Sequence, residues 1–169
     1  MTTDLAPLEA DAKALIESCS ARGILIATAE SCTGGLVCGL LTDIAGSSEV
    51  IDRGFVTYSN AAKTDLLGVS PDLLAPGGPG AVSEETARAM AEGAIRSSRA
   101  DIAVAVTGIA GPSGGTAEKP VGLVHFAVAN ADGPTQHRKR EFGDIGRSAV
   151  RLASVREALD MLKAAATKD

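Results

Sequence analysis

The segment 29–35 places a serine and a cysteine between an apolar run and a pair of glycines. Ser31 stands where a strand would turn sharply into a helix, a position that suits a serine nucleophile. Cys32 is the competing nucleophile, because the pKa of a thiol falls near a helix N-terminus. Adjacent side chains diverge in a turn, so only one of the two can face a cleft and the other packs beneath it.

A serine hydroxyl needs a neighbouring base, and the sequence offers few. His125 alternates with core positions and His137 neighbours charged residues in a solvated stretch, so we expect both to be structural. Lys63 lies where a strand end passes into a helix, so its side chain could point into the same cleft. To act as a base, its pKa would have to fall from about 10.4 to about 7–8, which demands burial. Spacing alone favours an exposed Lys63 and a core role for Tyr58.

Two glycine-rich loops could hold a phosphate or an oxyanion. One covers residues 30–35, and the other covers residues 107–116 with Thr107, Gly108 and Gly111. Glycines let backbone N–H groups approach a ligand closely, and a helix N-terminus favours an anion. Neither loop has the spacing of a P-loop or of a dinucleotide-binding fingerprint, so each could equally be a tight turn.

Helices that alternate with short apolar strands must position these residues. The predicted helices cover about residues 8–22, 36–41, 60–67 with Asn60 as cap, 83–98 with Ser83 as cap, and 147 onward, and the predicted strands cover 24–27, 50–59, 101–107, 121–129 and 135–142. Residues 71–80 are expected to be irregular. This order predicts a single domain over residues 1–169 with a three-layer α/β/α fold, whose mixed, mostly parallel sheet gains a late antiparallel strand. Ligands in such sheets bind beyond the carboxyl ends of the strands.

Composition excludes several classes of protein. In 169 residues, 45% are hydrophobic and 22% charged, which is a globular balance. A net charge of −5 and only 2% aromatic residues argue against nucleic acid or an anionic membrane as a partner. Three cysteines cannot close into a disulfide framework, and two histidines are few for a zinc site. Neither a signal peptide nor a membrane span is evident in the sequence. We therefore expect a cytoplasmic protein.

Four stretches in this order resemble the CinA C-terminal-domain family, the nicotinamide-nucleotide amidohydrolases. They are residues 28–35, 54–63, 80–85 and 107–122. The resemblance covers nearly the whole chain and leaves no room for the N-terminal domain of longer family members, so we expect a stand-alone form. It implies hydrolysis of nicotinamide mononucleotide to nicotinate mononucleotide and ammonia, in pyridine-nucleotide salvage, with no metal or cofactor. The expected partner is thus a small nucleotide substrate, and a homo-oligomer is favoured.

The resemblance also assigns the catalytic residues. The family's serine nucleophile and lysine base correspond to Ser31 and Lys63, with Tyr58 as an associated hydroxyl, which reverses the interpretation from spacing alone. N–H groups around residues 33–35 would stabilise the oxyanion, and the loop from Thr107 would hold ribose or phosphate. The full set expected to bind substrate or the oxyanion is Glu30, Cys32, Thr33, Gly34, Gly35, Thr107, Gly108 and Gly111.

Two other functions stay open: a catalytically silent nucleotide-binding regulatory module, and an amidase that acts on another small amide. The sequence departs from the family at Ser113 and Ala117, where we expect glycine and proline. Residues 143–147 are longer than the family's Gly-Asp-Arg, so a substrate contact by Arg147 stays open. Arg151, one turn later, could pair with phosphate or lie on a solvated helix face.

Overall fold

Six α-helices, two short 3-10 helices and five strands make up the secondary structure of residues 3–167, the part of the chain that this computed structural model describes. The helices are α1 (Glu9–Arg22), α2 (Leu36–Thr42), α3 (Asn60–Leu67), α4 (Pro71–Leu74), α5 (Glu84–Arg96) and α6 (Arg147–Ala166). The strands are β1 (Ile26–Glu30), β2 (Ile51–Val56), β3 (Ile102–Gly108), β4 (Leu123–Asn130) and β5 (Gln136–Glu141). Within these residues no helix is long and apolar enough to cross a membrane.

The five strands form one sheet in the order β2-β1-β3-β4-β5. β1 pairs in parallel with β2 and β3, whereas β4 is antiparallel to both β3 and β5, so four strands run one way and β4 runs the other. This confirms the predicted mixed sheet with a late antiparallel strand. β2 and β3 lie on opposite sides of β1, so the direction in which the sheet is built reverses at β1. The carboxyl ends of these three parallel strands lie at the same edge of the sheet, which is where such folds bind ligands.

The two faces of the sheet carry side chains of different size, because neighbouring residues in a strand point to opposite faces. In β3, Ile102, Val104 and Val106 pack toward α1, α2 and α6. Ala103 and Ala105 face the other way, toward α3 and α5. Helices therefore cover both faces, which confirms the predicted three-layer fold.

The alanine-lined face allows a very close helix contact at Gly93 of α5. A Cβ atom at Gly93 would lie 2.0 Å from the carbonyl oxygen of Leu67 at the end of α3. Gly93→Ala should therefore lower the free energy of unfolding by about 1–3 kcal/mol, although alanine is the better helix former by about 1 kcal/mol. Urea denaturation measures this effect. Gly39→Ala is the control, since no heavy atom other than its chain neighbours and the backbone of its own helix lies within 4 Å of its Cβ position. Equal effects in both variants would exclude the close contact as the cause.

Several predicted boundaries were wrong, β2 for example ending at Val56 instead of residue 59, and three of the differences in local structure have a clear local reason. β1 begins at Ile26, not Ile24, because the N–H of Ile24 completes the end of α1 by bonding to a carbonyl of its last turn. Ser59, not Asn60, caps α3, since its hydroxyl accepts the N–H of Ala62 at 3.0 Å. The segment expected to be irregular contains α4, which is capped by Ser70. None of these shifts moves a candidate residue away from the carboxyl edge.

Candidate active site

A buried lysine contacts the candidate serine nucleophile. Ser31 follows β1 directly, is 9% exposed, and donates its N–H to the carbonyl of Val106 at 2.9 Å. Lys63 lies in α3 and is only 1% exposed. Its Nζ atom lies 3.1 Å from Oγ of Ser31 and donates to the carbonyl oxygen of Thr57 at 2.9 Å. Two segments that are 32 residues apart thus bring together the pair suggested by the sequence.

The surroundings of Lys63 favour the neutral amine. Burial penalises the charged ammonium and lowers the pKa of Lys63 from its ordinary value of 10.5. Buried charges are usually paired, yet no carboxylate of residues 3–167 forms an ion pair with Lys63. A neutral Nζ has a lone pair that can accept the proton of the Ser31 hydroxyl, so the arrangement can activate a serine.

Tyr58 does not join this pair. Its side chain is 63% exposed, and its phenol oxygen accepts a hydrogen bond from Nη2 of Arg147 at 3.3 Å. In the described part of the chain it makes no hydrogen bond to Ser31 or Lys63. Thr57, the residue before it, is fully buried, whereas the side chain of Tyr58 faces solvent. Of the expected contact among Ser31, Lys63 and Tyr58, only the contact between Ser31 and Lys63 is therefore present.

A cleft of about 340 Å³ opens beyond the carboxyl ends of β1, β2 and β3. Its walls are formed by Ser31, Cys32, Tyr58, Asn60, Lys63, Ala81, Val82, residues 107–111, Ser113, Gly114 and Arg147. A larger cavity of about 400 Å³ has Asp101, Asn130 and Asp132 in its wall but no serine, cysteine or lysine. The smaller cavity is thus the candidate active site. The sequence indicates only a capping role for Asn60 and no definite role for Arg147, since nothing in their spacing shows that they face this cleft.

Glu30 acts inside the protein and does not line the cleft. Its carboxylate is fully buried and accepts the N–H groups of Gly35, Val37 and Cys38 at 3.1, 3.0 and 2.8 Å, all at the start of α2. A carboxylate is favourable there because it satisfies N–H groups that lack partners within the helix. Glu30 thus fixes the helix that follows the serine, a role that differs from the substrate contact expected from the sequence.

Glu30→Gln should lower the free energy of unfolding by about 1.5–3 kcal/mol, the usual worth of hydrogen bonds to a charged group. The amide replaces one acceptor oxygen with an NH₂ group, which would face the N–H groups of α2. Chemical denaturation at neutral pH measures the change. Glu118→Gln is the matched control, since Glu118 is exposed in a loop. A Glu30→Gln variant as stable as the control would contradict this capping role.

The turn after Ser31 has a defined pattern of N–H groups. The N–H of Gly34 donates to the carbonyl of Ser31 at 3.0 Å, and that of Gly35 goes to Glu30, so both are used inside the protein. No other residue of the described chain accepts the N–H groups of Cys32 and Thr33. Of the residues in this turn, Ser31 and Cys32 line the cleft, while Thr33, Gly34 and Gly35 do not. The donors available to a ligand are therefore nearer to Ser31 than the sequence suggested.

Cys32 is poorly suited to nucleophilic attack. It is 6% exposed, and burial, together with the nearby Glu30 carboxylate, raises the pKa of its thiol to about 12. The thiolate, not the thiol, is the reactive form. Of the two adjacent candidates, Ser31 is the one whose side chain lies within hydrogen-bond distance of the Lys63 amine.

The second glycine-rich loop closes another side of the cleft. The hydroxyl of Thr107 donates to the carbonyl of Ala81 at 2.7 Å, which ties β3 to the segment before α5. A Cβ atom at Gly108 would lie 2.8 Å from the carbonyl oxygen of Leu123, so only glycine fits there without movement. The carbonyl of Gly111 accepts Nη1 of Arg147 at 3.0 Å. All three predicted residues of this loop line the cleft.

The two histidines form a stacked pair outside the cleft. Nδ1 of His125 lies 2.9 Å from Nε2 of His137, and Nδ1 of His137 lies 3.3 Å from a carboxylate oxygen of Glu84. Burial lowers the pKa of His125 to about 4. His137 was expected to be solvated, but its side chain is only 12% exposed because it packs between His125 and α5. In residues 3–167 no group of three or more His, Cys, Asp or Glu side chains could hold a metal ion.

The fold and the site define a three-layer α/β protein with a serine–lysine pair at the carboxyl edge of its sheet. Residues 8–166 match the CinA C-terminal domain, and the chain belongs to that family. The family expected from the sequence is thus confirmed. A crystal structure of the competence/damage inducible protein CihA from Agrobacterium tumefaciens has the same fold, with a TM-score of 0.92 and 55% identity over 97% of this chain and 98% of that one.

Relatives of two lengths resemble this chain. A protein of Enterobacter agglomerans named nicotinamide-nucleotide amidohydrolase PncC is 56% identical over 133 residues, which cover 78% of this chain and 79% of that protein. A CinA-like protein of Anaeromyxobacter dehalogenans is 53% identical over 146 residues, which cover 86% of this chain but 35% of that protein. The chain therefore spans about a third of the length of the longer relatives.

Proposed function

We propose that this chain hydrolyses the carboxamide of nicotinamide mononucleotide to nicotinate mononucleotide and ammonia, with Ser31 as nucleophile and Lys63 as base. The observation that carries the proposal is the 3.1 Å contact between Oγ of Ser31 and a buried lysine amine that has no carboxylate partner in residues 3–167. The 56% identity to a protein named nicotinamide-nucleotide amidohydrolase supports the choice of substrate.

In the first chemical step, neutral Lys63 accepts the hydroxyl proton of Ser31 while Oγ attacks the carboxamide carbon. The resulting ammonium donates that proton to the amide nitrogen, so that the C–N bond breaks and ammonia leaves. Lys63 then takes a proton from a water molecule as its oxygen attacks the acyl carbon. The Lys63 ammonium returns that proton to Oγ of Ser31 as the C–Oγ bond breaks, which releases nicotinate mononucleotide and restores Ser31. The carbonyl of Thr57 holds Nζ in place throughout, since it accepts one of its hydrogens.

The negative charge that develops on the carboxamide oxygen needs nearby donors. We assign this role to the N–H of Cys32, aided by that of Thr33, which belongs to the peptide that follows the cleft residue Cys32. No other residue of the described chain accepts these two N–H groups. The N–H of the residue after the nucleophile serves the same purpose in other hydrolases with a strand-to-helix turn. Loss of one such donor costs about 2.7–4 kcal/mol of transition-state stabilisation.

The phosphate of the substrate needs a site of its own. The N-terminus of α2 is excluded, because the Glu30 carboxylate already occupies its N–H groups. Arg147 begins α6, lines the cleft and is exposed, and Ser113 and Gly114 lie in the same wall. We therefore place the phosphate between Arg147 and the loop around residues 111–114, where a guanidinium can bind two phosphate oxygens.

The direct test is to measure ammonia and nicotinate mononucleotide released by the wild-type protein. We expect kcat/KM for nicotinamide mononucleotide to exceed that for free nicotinamide by roughly 10-fold or more, since charge-assisted hydrogen bonds to the phosphate are lost with free nicotinamide. Equal rates on the two amides would instead support an amidase for small amides. Binding of the mononucleotide with no ammonia released would support a silent regulatory module.

A further inference from the structure

Arg151 contacts the back of the turn that carries the nucleophile. Its Nε donates to the carbonyl of Cys32 at 3.2 Å, and its Nη2 donates to the carbonyl of Thr33 at 2.9 Å. Arg151 lies four residues after Arg147 in α6, yet it is not part of the cleft wall. We propose that Arg151 is a positioning residue for the oxyanion-binding N–H groups and not a phosphate ligand, an inference that rests on the proposed function.

Peptide planarity links these carbonyls to the donors. The C=O and N–H of a trans peptide point in opposite directions, so a guanidinium that holds the carbonyl of Cys32 also fixes the direction of the N–H of Thr33. The second bond, to the carbonyl of Thr33, fixes the N–H of Gly34, which donates to the carbonyl of Ser31. That carbonyl in turn sets the direction of the N–H of Cys32. Arg151 thus controls both proposed donors.

The same bonds strengthen the donors. A carbonyl that accepts a hydrogen bond from a charged group polarises its own peptide, which makes the N–H of that peptide a better donor. No carboxylate of residues 3–167 forms an ion pair with Arg151, so its charge is directed at these two carbonyls. Because both bonds come from one planar guanidinium, the two carbonyls are held in a fixed relative orientation. The single ammonium of a lysine could not hold them in this way.

Arg147 provides a control within the same helix. It lines the cleft, and it donates to the phenol of Tyr58 and the carbonyl of Gly111 at the mouth. A phosphate ligand and a positioning residue should differ in kinetics. Loss of the former weakens the binding of phosphorylated substrate, whereas loss of the latter slows the chemical step for every substrate.

The experiment compares Arg151→Met, Arg151→Lys and Arg147→Met on nicotinamide mononucleotide and on nicotinamide riboside, which lacks the phosphate. Arg151→Met should lower kcat roughly 100-fold on both substrates with KM changed less than about 2-fold, because the donors are misplaced. Arg151→Lys should lose roughly 10-fold, since it keeps the charge but not the paired bonds. Arg147→Met should raise KM about 10-fold or more for the mononucleotide alone.

An increase in KM for the mononucleotide but not for the riboside in Arg151→Met would overturn the proposal, as would an unchanged kcat. Circular dichroism at the assay temperature shows whether each variant is folded, and Arg151→Lys carries the test if Arg151→Met is not. If the wild type hydrolyses neither substrate, the proposed function is wrong, but the role of Arg151 is still untested by these assays. Arg151 is then tested by the rate at which a fluorophosphonate, whose phosphoryl oxygen needs the same donors, labels Ser31; equal rates in wild type and Arg151→Met would refute its role.

Discussion

Ser31→Ala is expected to lower kcat for hydrolysis of nicotinamide mononucleotide by about 10⁴- to 10⁶-fold, as in other serine hydrolases that lose their nucleophile. The variant keeps the cleft and its N–H donors, so KM should change little. The fold should also remain intact, because within residues 3–167 the hydroxyl has a single hydrogen-bond partner, the amine of Lys63. Ammonia release under saturating substrate measures the effect.

Cys32→Ala is the matched control at the neighbouring position. The buried thiol has a pKa of about 12 and makes no side-chain hydrogen bond to Lys63 within residues 3–167. Its removal should therefore leave kcat within about 10-fold of wild type, and any loss would reflect the small cavity that the thiol leaves. Full turnover by Ser31→Ala together with loss in Cys32→Ala would show that the thiol is the nucleophile. Mass spectrometry provides an independent readout: the wild-type protein should show a covalent acyl intermediate, and Ser31→Ala should not.

Lys63→Met should lower kcat by about 10²- to 10⁴-fold, the range for removal of a general base. Methionine fills the same buried volume but cannot accept a proton. In the wild type, kcat/KM should rise with pH as Lys63 loses its proton, with a midpoint below 10.5 because burial lowers its pKa. The variant's residual activity should lack this dependence. A wild-type profile that is flat or that falls with pH over the same range would rule out a neutral lysine base.

The lowered pKa of Lys63 should also make the free energy of unfolding depend on pH. The unfolded lysine binds a proton up to its ordinary pKa, whereas the folded lysine releases it at lower pH, so stability increases as pH rises between the two values. The free energy of unfolding of the wild type, relative to Lys63→Met, should therefore rise by up to about 1.4 kcal/mol per pH unit in that window. Lys13→Met is the control for the loss of a lysine side chain, since Lys13 is exposed. A flat difference for Lys63→Met would mean that the folded lysine is charged.

Local signals in the sequence predicted most of the fold. Gly23 and Gly68 adopt left-handed backbone at the ends of α1 and α3, as expected of glycines that stop helices. Ser83 caps α5 by accepting the N–H of Thr86. Such features depend on a few adjacent residues, so their prediction needs no knowledge of the packing. The predicted start of β1 and the predicted cap of α3 were wrong. In each case a single hydrogen bond, made by Ile24 or by Ser59 to a nearby residue, decided which of two neighbouring residues begins the element.

Sequence patterns were therefore enough to predict the family, the order of most helices and strands, and the turn that carries Ser31. Packing in the folded chain was needed to show that Lys63 is buried without a carboxylate partner in residues 3–167, that Glu30 caps α2, and that Tyr58 faces solvent. Only the structure separated Arg147, at the cleft, from Arg151, which binds carbonyls 118 and 119 residues away. The physical reason is that burial and side-chain direction are set by packing between distant segments, whereas helix ends and turns are set by the conformational preferences of neighbouring residues.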